Sequence, residues 1–194
     1  MPNNKNLEKI IDELCKNLDY AWRYYFTLEA LHEQAKSDAT IIDDYTLFFS
    51  TVYYSLFDSL FLRIAHFTDR SRRKNVVSLH HLHEKIEKYC PNDHEVKKWI
   101  SEDRAFLTNH TDLKRIEDWR HKVVAHLSSE VFLRDSDFFD ENKLHLLEIR
   151  KILETFEQVI KKYGFHFLER FDYTRSTNVK KVTNRLFRRL RCDS

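Results

Sequence analysis

The sequence predicts an all-α protein, a bundle of about five to six helices with a basic helical extension at its C-terminus. Three observations lead there. The 194 residues include one glycine and two prolines, so residues that break helices and build tight hairpin turns are nearly missing. Apolar residues recur at three- and four-residue spacing over long stretches. Hydrophobic residues make up 42% and aromatics 14% of the chain, enough for one core despite abundant charge, in a chain of single-domain length.

Leu7, Ile10, Ile11, Leu14, Leu18, Trp22, Tyr25 and Leu28 trace the inner stripe of a first helix over residues 6–36. Asp38 is placed to cap a second, over 39–68, with Phe48, Val52, Leu56, Leu60 and Ile64 inward. Being apolar around most of its circumference, that helix is expected to be the central element. Its core, Tyr45 to Leu62, approaches the length of a membrane span, but Asp58 and the interspersed Ser, Thr and Tyr favour a buried bundle helix.

The basic stretch DRSRRKN then interrupts the pattern, and Ser78 can cap a short helix that Cys90-Pro91 ends. A further helix is expected from Asp93 to Leu107, with Val96, Trp99 and Ile100 inward, and another from Asp112 to Leu127. A last long helix carries Leu144, Leu147, Ile152, Phe156, Val159 and Tyr163, and Lys161, Lys162 and Gly164 read as its C-terminal signature. The bundle is thus expected over 1–171 and the extension over 172–194. That extension holds seven Lys or Arg against two Asp, in a chain of net charge only +2. The imbalance suits an anionic partner such as RNA, through Arg175, Lys180, Lys181, Arg185, Arg188 and Arg189. The bland alternative is a solvated helix that packs through Val182, Leu186 and Leu190.

The same composition excludes function classes. Phosphate loops and dinucleotide fingerprints need several glycines where the backbone nears a ligand. Cys15, Cys90 and Cys192 are scattered without paired spacing, which suggests neither a disulfide framework nor zinc, and a reducing cytoplasm is the natural setting. The charged N-terminus has no apolar signal core. His80, His83, Glu84 and Glu87 share one helical face and could offer ligands to a metal, although a solvated polar face is the ordinary reading.

The stretch WRHKVVAHLS remains. Arg120 and His126 lie six positions apart, about 120° around a continuous helix. Either the helix loosens there or the two side chains meet across an interface with a second copy. An arginine fork that holds phosphate oxygens and a histidine that moves protons near neutrality are the minimum for cleaving RNA through its own 2′-hydroxyl, with no metal or other cofactor. Spacing alone is equally consistent with a half-buried histidine and a surface arginine.

RHKVVAH resembles the signature of the HEPN superfamily: Arg, a polar residue, four variable residues and His. The upstream stretch SLFDSLFLRIAHFTDRSRRKNVVSLHHL is similar to the branch related to abortive-infection protein U, with Asp58, Asp69 and Ser78-Leu79 in the matching places. The resemblance implies an up-and-down helical bundle that forms a homodimer with a composite active site, and a metal-independent endoribonuclease of toxin–antitoxin or antiphage systems. Arg120 and His126 would be its catalytic residues and His121 the auxiliary polar one, with Lys122 beside them on RNA. It also implies RNA as substrate and a possible antitoxin or regulatory partner, with no membrane involved. Other members of the superfamily are non-catalytic interaction modules, which is the second reading.

Overall fold

The computed structural model describes residues 4–37, 40–71, 77–121, 144–171, 173 and 175–192. Among them the chain forms eight helices and no strand. These are α1 (Asn4–Ser37), α2 (Thr40–Asp44), α3 (Thr46–Thr68), α4 (Leu79–Tyr89), α5 (His94–Asn109), α6 (Thr111–Trp119), α7 (Leu146–Leu168) and α8 (Asn178–Cys192). The all-α expectation holds.

The axis of the bundle is α1. It packs against α3, α7, α8 and α4, and its whole predicted stripe from Leu7 to Leu28 is buried. The second predicted helix is instead two, α2 and α3, parted at Tyr45. The longer of them, α3, is packed on several sides, against α1, α2, α4 and α6, with Phe49, Leu60, Phe61, Ile64 and Phe67 buried, whereas Leu47, Phe48 and Tyr54, and Tyr45 just before it, stand exposed. Apolar composition all round α3 therefore reflects one buried face and one uncovered face.

Local chemistry sets the helix ends. Ser78 accepts the His81 amide and Asp93 accepts the Glu95 and Val96 amides, as the sequence led one to expect. The predicted cap Asp38 lies outside the described residues. In α7 the inner stripe is Ile149, Ile152, Leu153, Phe156, Val159, Ile160 and Tyr163, and Leu147 points out. Gly164 does not end this helix. The left-handed turn is made by Glu169, with φ 56°, after Phe167 and Leu168 have added their side chains to the core. Gly164 serves another purpose: a Cβ there would lie 3.2 Å from both the Arg170 carbonyl and the Phe171 ring, so its bare Cα lets the chain fold back against α7.

α8 lies on the bundle. Phe187 is buried with Leu31, Ile41 and Phe49 in a second, smaller core, stacked on Phe49 at 5.3 Å between ring centroids. Lys180 reaches Glu29 at 2.9 Å and Glu33 at 2.7 Å on α1. Arg175, just ahead of α8, pairs with Glu157 at 2.6 Å and lies 4.3 Å above the Trp22 ring. No described helix is long and apolar enough to cross a membrane.

Candidate functional site

The sequence-predicted site begins where α6 ends. Leu113, Ile116 and Trp119 form its buried stripe, and Trp119 seats edge-on against Phe57 and Phe61 of α3, with centroids 5.7 and 5.6 Å away. The Trp119 Nε1–H donates to Asp58 Oδ1 at 3.1 Å. A large ring held by packing and by one directed bond fixes the register of α6 on α3. Trp119→Phe, which keeps an aromatic ring but removes the donor and part of the buried indole, is expected to cost about 2 to 3 kcal/mol, read from the urea midpoint.

Directly after this anchor the helix widens into a π-type turn at Arg120 and His121, a local feature that often marks functional positions. Arg120 is half-buried, with its Nη1 4.0 Å from Asp69 Oδ2 and its Nη2 2.9 Å from His121 Nε2. That contact needs a neutral His121 presenting a lone pair at Nε2. His121 is exposed and also stands 4.0 Å from Glu117. His126 and Lys122 lie outside the described residues.

Asp69 follows the last residue of α3 and accepts the Ser71 amide at 2.6 Å. Burial alone would raise its carboxyl, but the bonds from Ser71 and the positive charge of Arg120 hold it below its ordinary value. It therefore remains an anion facing the guanidinium. His66, one turn earlier on α3, is pushed down from its ordinary 6.5 by burial and by Arg63 and Arg120, with Asp69 opposing. The sequence pointed to Asp58 and Asp69 through the family pattern and passed over His66. Its signal was its place on α3, eight residues after Asp58 and three before Asp69.

The model of the HEPN AbiU2 family matches residues 4–180. The chain belongs to that family. It is a HEPN family related to abortive infection protein U. No curated protein and no solved structure matches the chain.

Elsewhere in this HEPN protein the other sequence candidates are distributed unevenly. Arg175 and Lys180 are engaged within the protein, whereas Lys181, Arg185, Arg188 and Arg189 are exposed on the outer side of α8. The His80, His83, Glu84 and Glu87 face is split between unrelated tasks. His83 is fully buried against Tyr163. Glu87 receives both terminal nitrogens of Arg104, at 2.7 and 2.8 Å. Burial and then Arg70 bring the His80 imidazole down to about 4. Among the described residues no three His, Cys, Asp or Glu side chains converge as a metal site.

Proposed function

We propose that this HEPN protein is a metal-independent endoribonuclease, the effector of an abortive-infection or toxin–antitoxin system. The observation that carries the reading is Arg120: at the widened end of α6 its guanidinium stands 4.0 Å from the Asp69 carboxylate and 2.9 Å from the exposed His121 imidazole. A planar fork fixed in place binds non-bridging phosphate oxygens without reorganising, and it stays charged at every working pH. In this reading Arg120 clamps the scissile phosphate, His126 moves a proton and His121 orients the fork. The test compares the wild type with an Arg120→Ala/His126→Ala protein on mixed tRNA in EDTA. Cleavage by the wild type alone, leaving 2′,3′-cyclic phosphate ends, supports the reading; equal cleavage by both proteins rejects it.

The active form in this proposal is a homodimer. The uncovered face of α3 supports it, since Leu47, Phe48 and Tyr54 expose large apolar surface on one helix, a kind of patch that commonly marks association and that can pair with its own copy about a twofold axis. Leu47→Glu/Phe48→Glu is expected to shift the sedimentation coefficient to that of a monomer. The same face favours the second reading, a non-catalytic module that docks a regulatory protein, which would keep partner binding after both motif residues are lost.

RNA contact by α8 is part of the proposal and follows the exposed set Lys181, Arg185, Arg188 and Arg189. Phe187 docks at Phe49, twenty residues before Asp69 on the numbering, so α8 meets α3 about 30 Å from the Arg120 site, at 1.5 Å per residue. Such a surface holds flanking RNA rather than the scissile phosphate. Changing all four residues to Gln is expected to lower the salt slope of binding by about 2 to 3 on long single-stranded RNA. Cleavage of a dinucleotide should be unchanged.

A further inference from the structure

Transphosphorylation of RNA needs two proton movements, and an arginine supplies neither. The described part of the site contains one exposed histidine besides His121 that lies within electrostatic reach of Arg120. This is His66, on the last turn of α3. Its position follows from helix geometry. Asp58 and Asp69 lie eleven residues apart, about 20° around α3, and they face the end of α6 as the anchors of Trp119 and Arg120. His66 lies about 60° from Asp69 and about 4.5 Å along the axis, on the flank of that face. Asp58 and Asp69 are half-buried, and His66 is the most exposed of the three, its ring partly shielded by its neighbours.

We propose that His66 is the general base of the Arg120 site, the group that takes the proton from the attacking 2′-hydroxyl. The proposal rests on the endoribonuclease reading. As the proton passes to the imidazole, the 2′-oxygen bonds to phosphorus and the bond from phosphorus to the 5′-oxygen breaks. The departing oxygen takes a proton from a separate acid, and His66 returns its own to water. The products are a 2′,3′-cyclic phosphate and a 5′-hydroxyl.

The charges around His66 suit this role. Arg63 on α3 and Arg120 from α6 oppose a proton on the ring, and Asp69 partly offsets them. A histidine kept neutral below its ordinary 6.5 is an acceptor at neutral pH. Substrate phosphate, bringing negative charge to Arg120, would weaken that opposition and stabilise the imidazolium as it forms. Asp69 has two partners here: it steadies the guanidinium and favours the protonated product of the transfer.

The experiment follows the ring proton resonances of His66 by NMR against pH, with and without cytidine 3′-monophosphate, in wild type and Arg120→Ala. The expected result is a midpoint below 6.5 in the free protein that moves up with nucleotide, and no nucleotide-dependent movement in Arg120→Ala. In parallel, His66→Gln is expected to lower kcat for RNA cleavage by about 100-fold or more. It should also remove the acid limb of the pH–rate profile, with partial recovery by added imidazole. An unchanged thermal midpoint shows that the variant is folded. Wild-type cleavage with the same acid limb in His66→Gln overturns the role of His66 and leaves the nuclease reading intact. Absence of wild-type cleavage overturns both, whatever the nucleotide does to the His66 resonance.

Discussion

Arg120→Ala is expected to lower RNA cleavage about 1,000-fold while leaving the protein folded, the scale seen when one pre-positioned donor to a developing oxyanion is removed. The two halves of this result have different causes. Arg120 contributes little to stability, because its ion pair with Asp69 is long, at 4.0 Å, and partly open to solvent. Its contribution to the reaction is large if it binds the phosphate, because the guanidinium is already held in place. Arg120→Lys separates charge from geometry. A lysine keeps the charge but loses the fork, and should recover less than a tenth of the lost rate. The measurement is single-turnover cleavage of a defined RNA, with the urea midpoint taken on the same samples. A loss smaller than about threefold would remove Arg120 from the chemistry.

Much of this arrangement was legible in the sequence because it is written at short range. The α1 stripe from Leu7 to Leu28 needs only helical periodicity, and Ser78 and Asp93 cap through bonds to residues two or three positions on. Trp119 was recognisably an inner residue for the same reason. The errors have a different origin. Gly164 read as a helix end because glycine usually supplies the left-handed turn, but its reason is the return of Phe171, a contact that no local pattern carries. Phe48 read as an inward residue because apolar residues usually are, and the face it shares with Leu47 and Tyr54 is left uncovered in the chain alone. The ion pairs of Arg175 and Lys180 were also hidden, because their carboxylate partners come from α7 and α1, far away in sequence. The spacing of His66 from Asp58 and Asp69 was visible in the sequence, but the charge of Arg120 beside it came into view only once α3 and α6 were placed side by side.

The same limit hid the most polar part of the interior, and the second large effect is expected there. Asp103 on α5 is almost fully buried, and it accepts Lys162 Nζ at 2.9 Å on both oxygens and Tyr163 Oη at 2.7 Å, across about sixty residues of chain. His83 Nε2 of α4 stands 3.5 Å away, at the outer limit of a hydrogen bond. Helices α5 and α7 are thus tied through one carboxylate, with α4 beside it. Asp103→Ala would leave the Lys162 charge and the Tyr163 hydroxyl without their acceptor in a site largely closed to water, at an expected cost of about 3 kcal/mol. For a chain of this size that is a fall of roughly 10 °C in Tm, read by calorimetry. The pH dependence has a definite sign. Burial by itself would raise the Asp103 carboxyl, but His83, Lys162 and Tyr163 outweigh it and hold the group below its ordinary 3.8. A carboxyl depressed by folding stabilises above its unfolded value and loses that contribution as pH falls through the folded one, so the wild type should lose this contribution only below about pH 4. Asp103→Ala should lack that part of the acid loss, and the two stability curves should converge in acid. Parallel curves down to pH 2 would mean that the carboxylate adds nothing specific. Asp103→Leu/Lys162→Met decides between charge pairing and simple filling of space, because a buried ion pair replaced as a unit by apolar groups often costs little. Recovery of most of the lost stability in that double variant would show that the damage in Asp103→Ala is the stranded lysine, and that the pair's own net contribution to the fold is small.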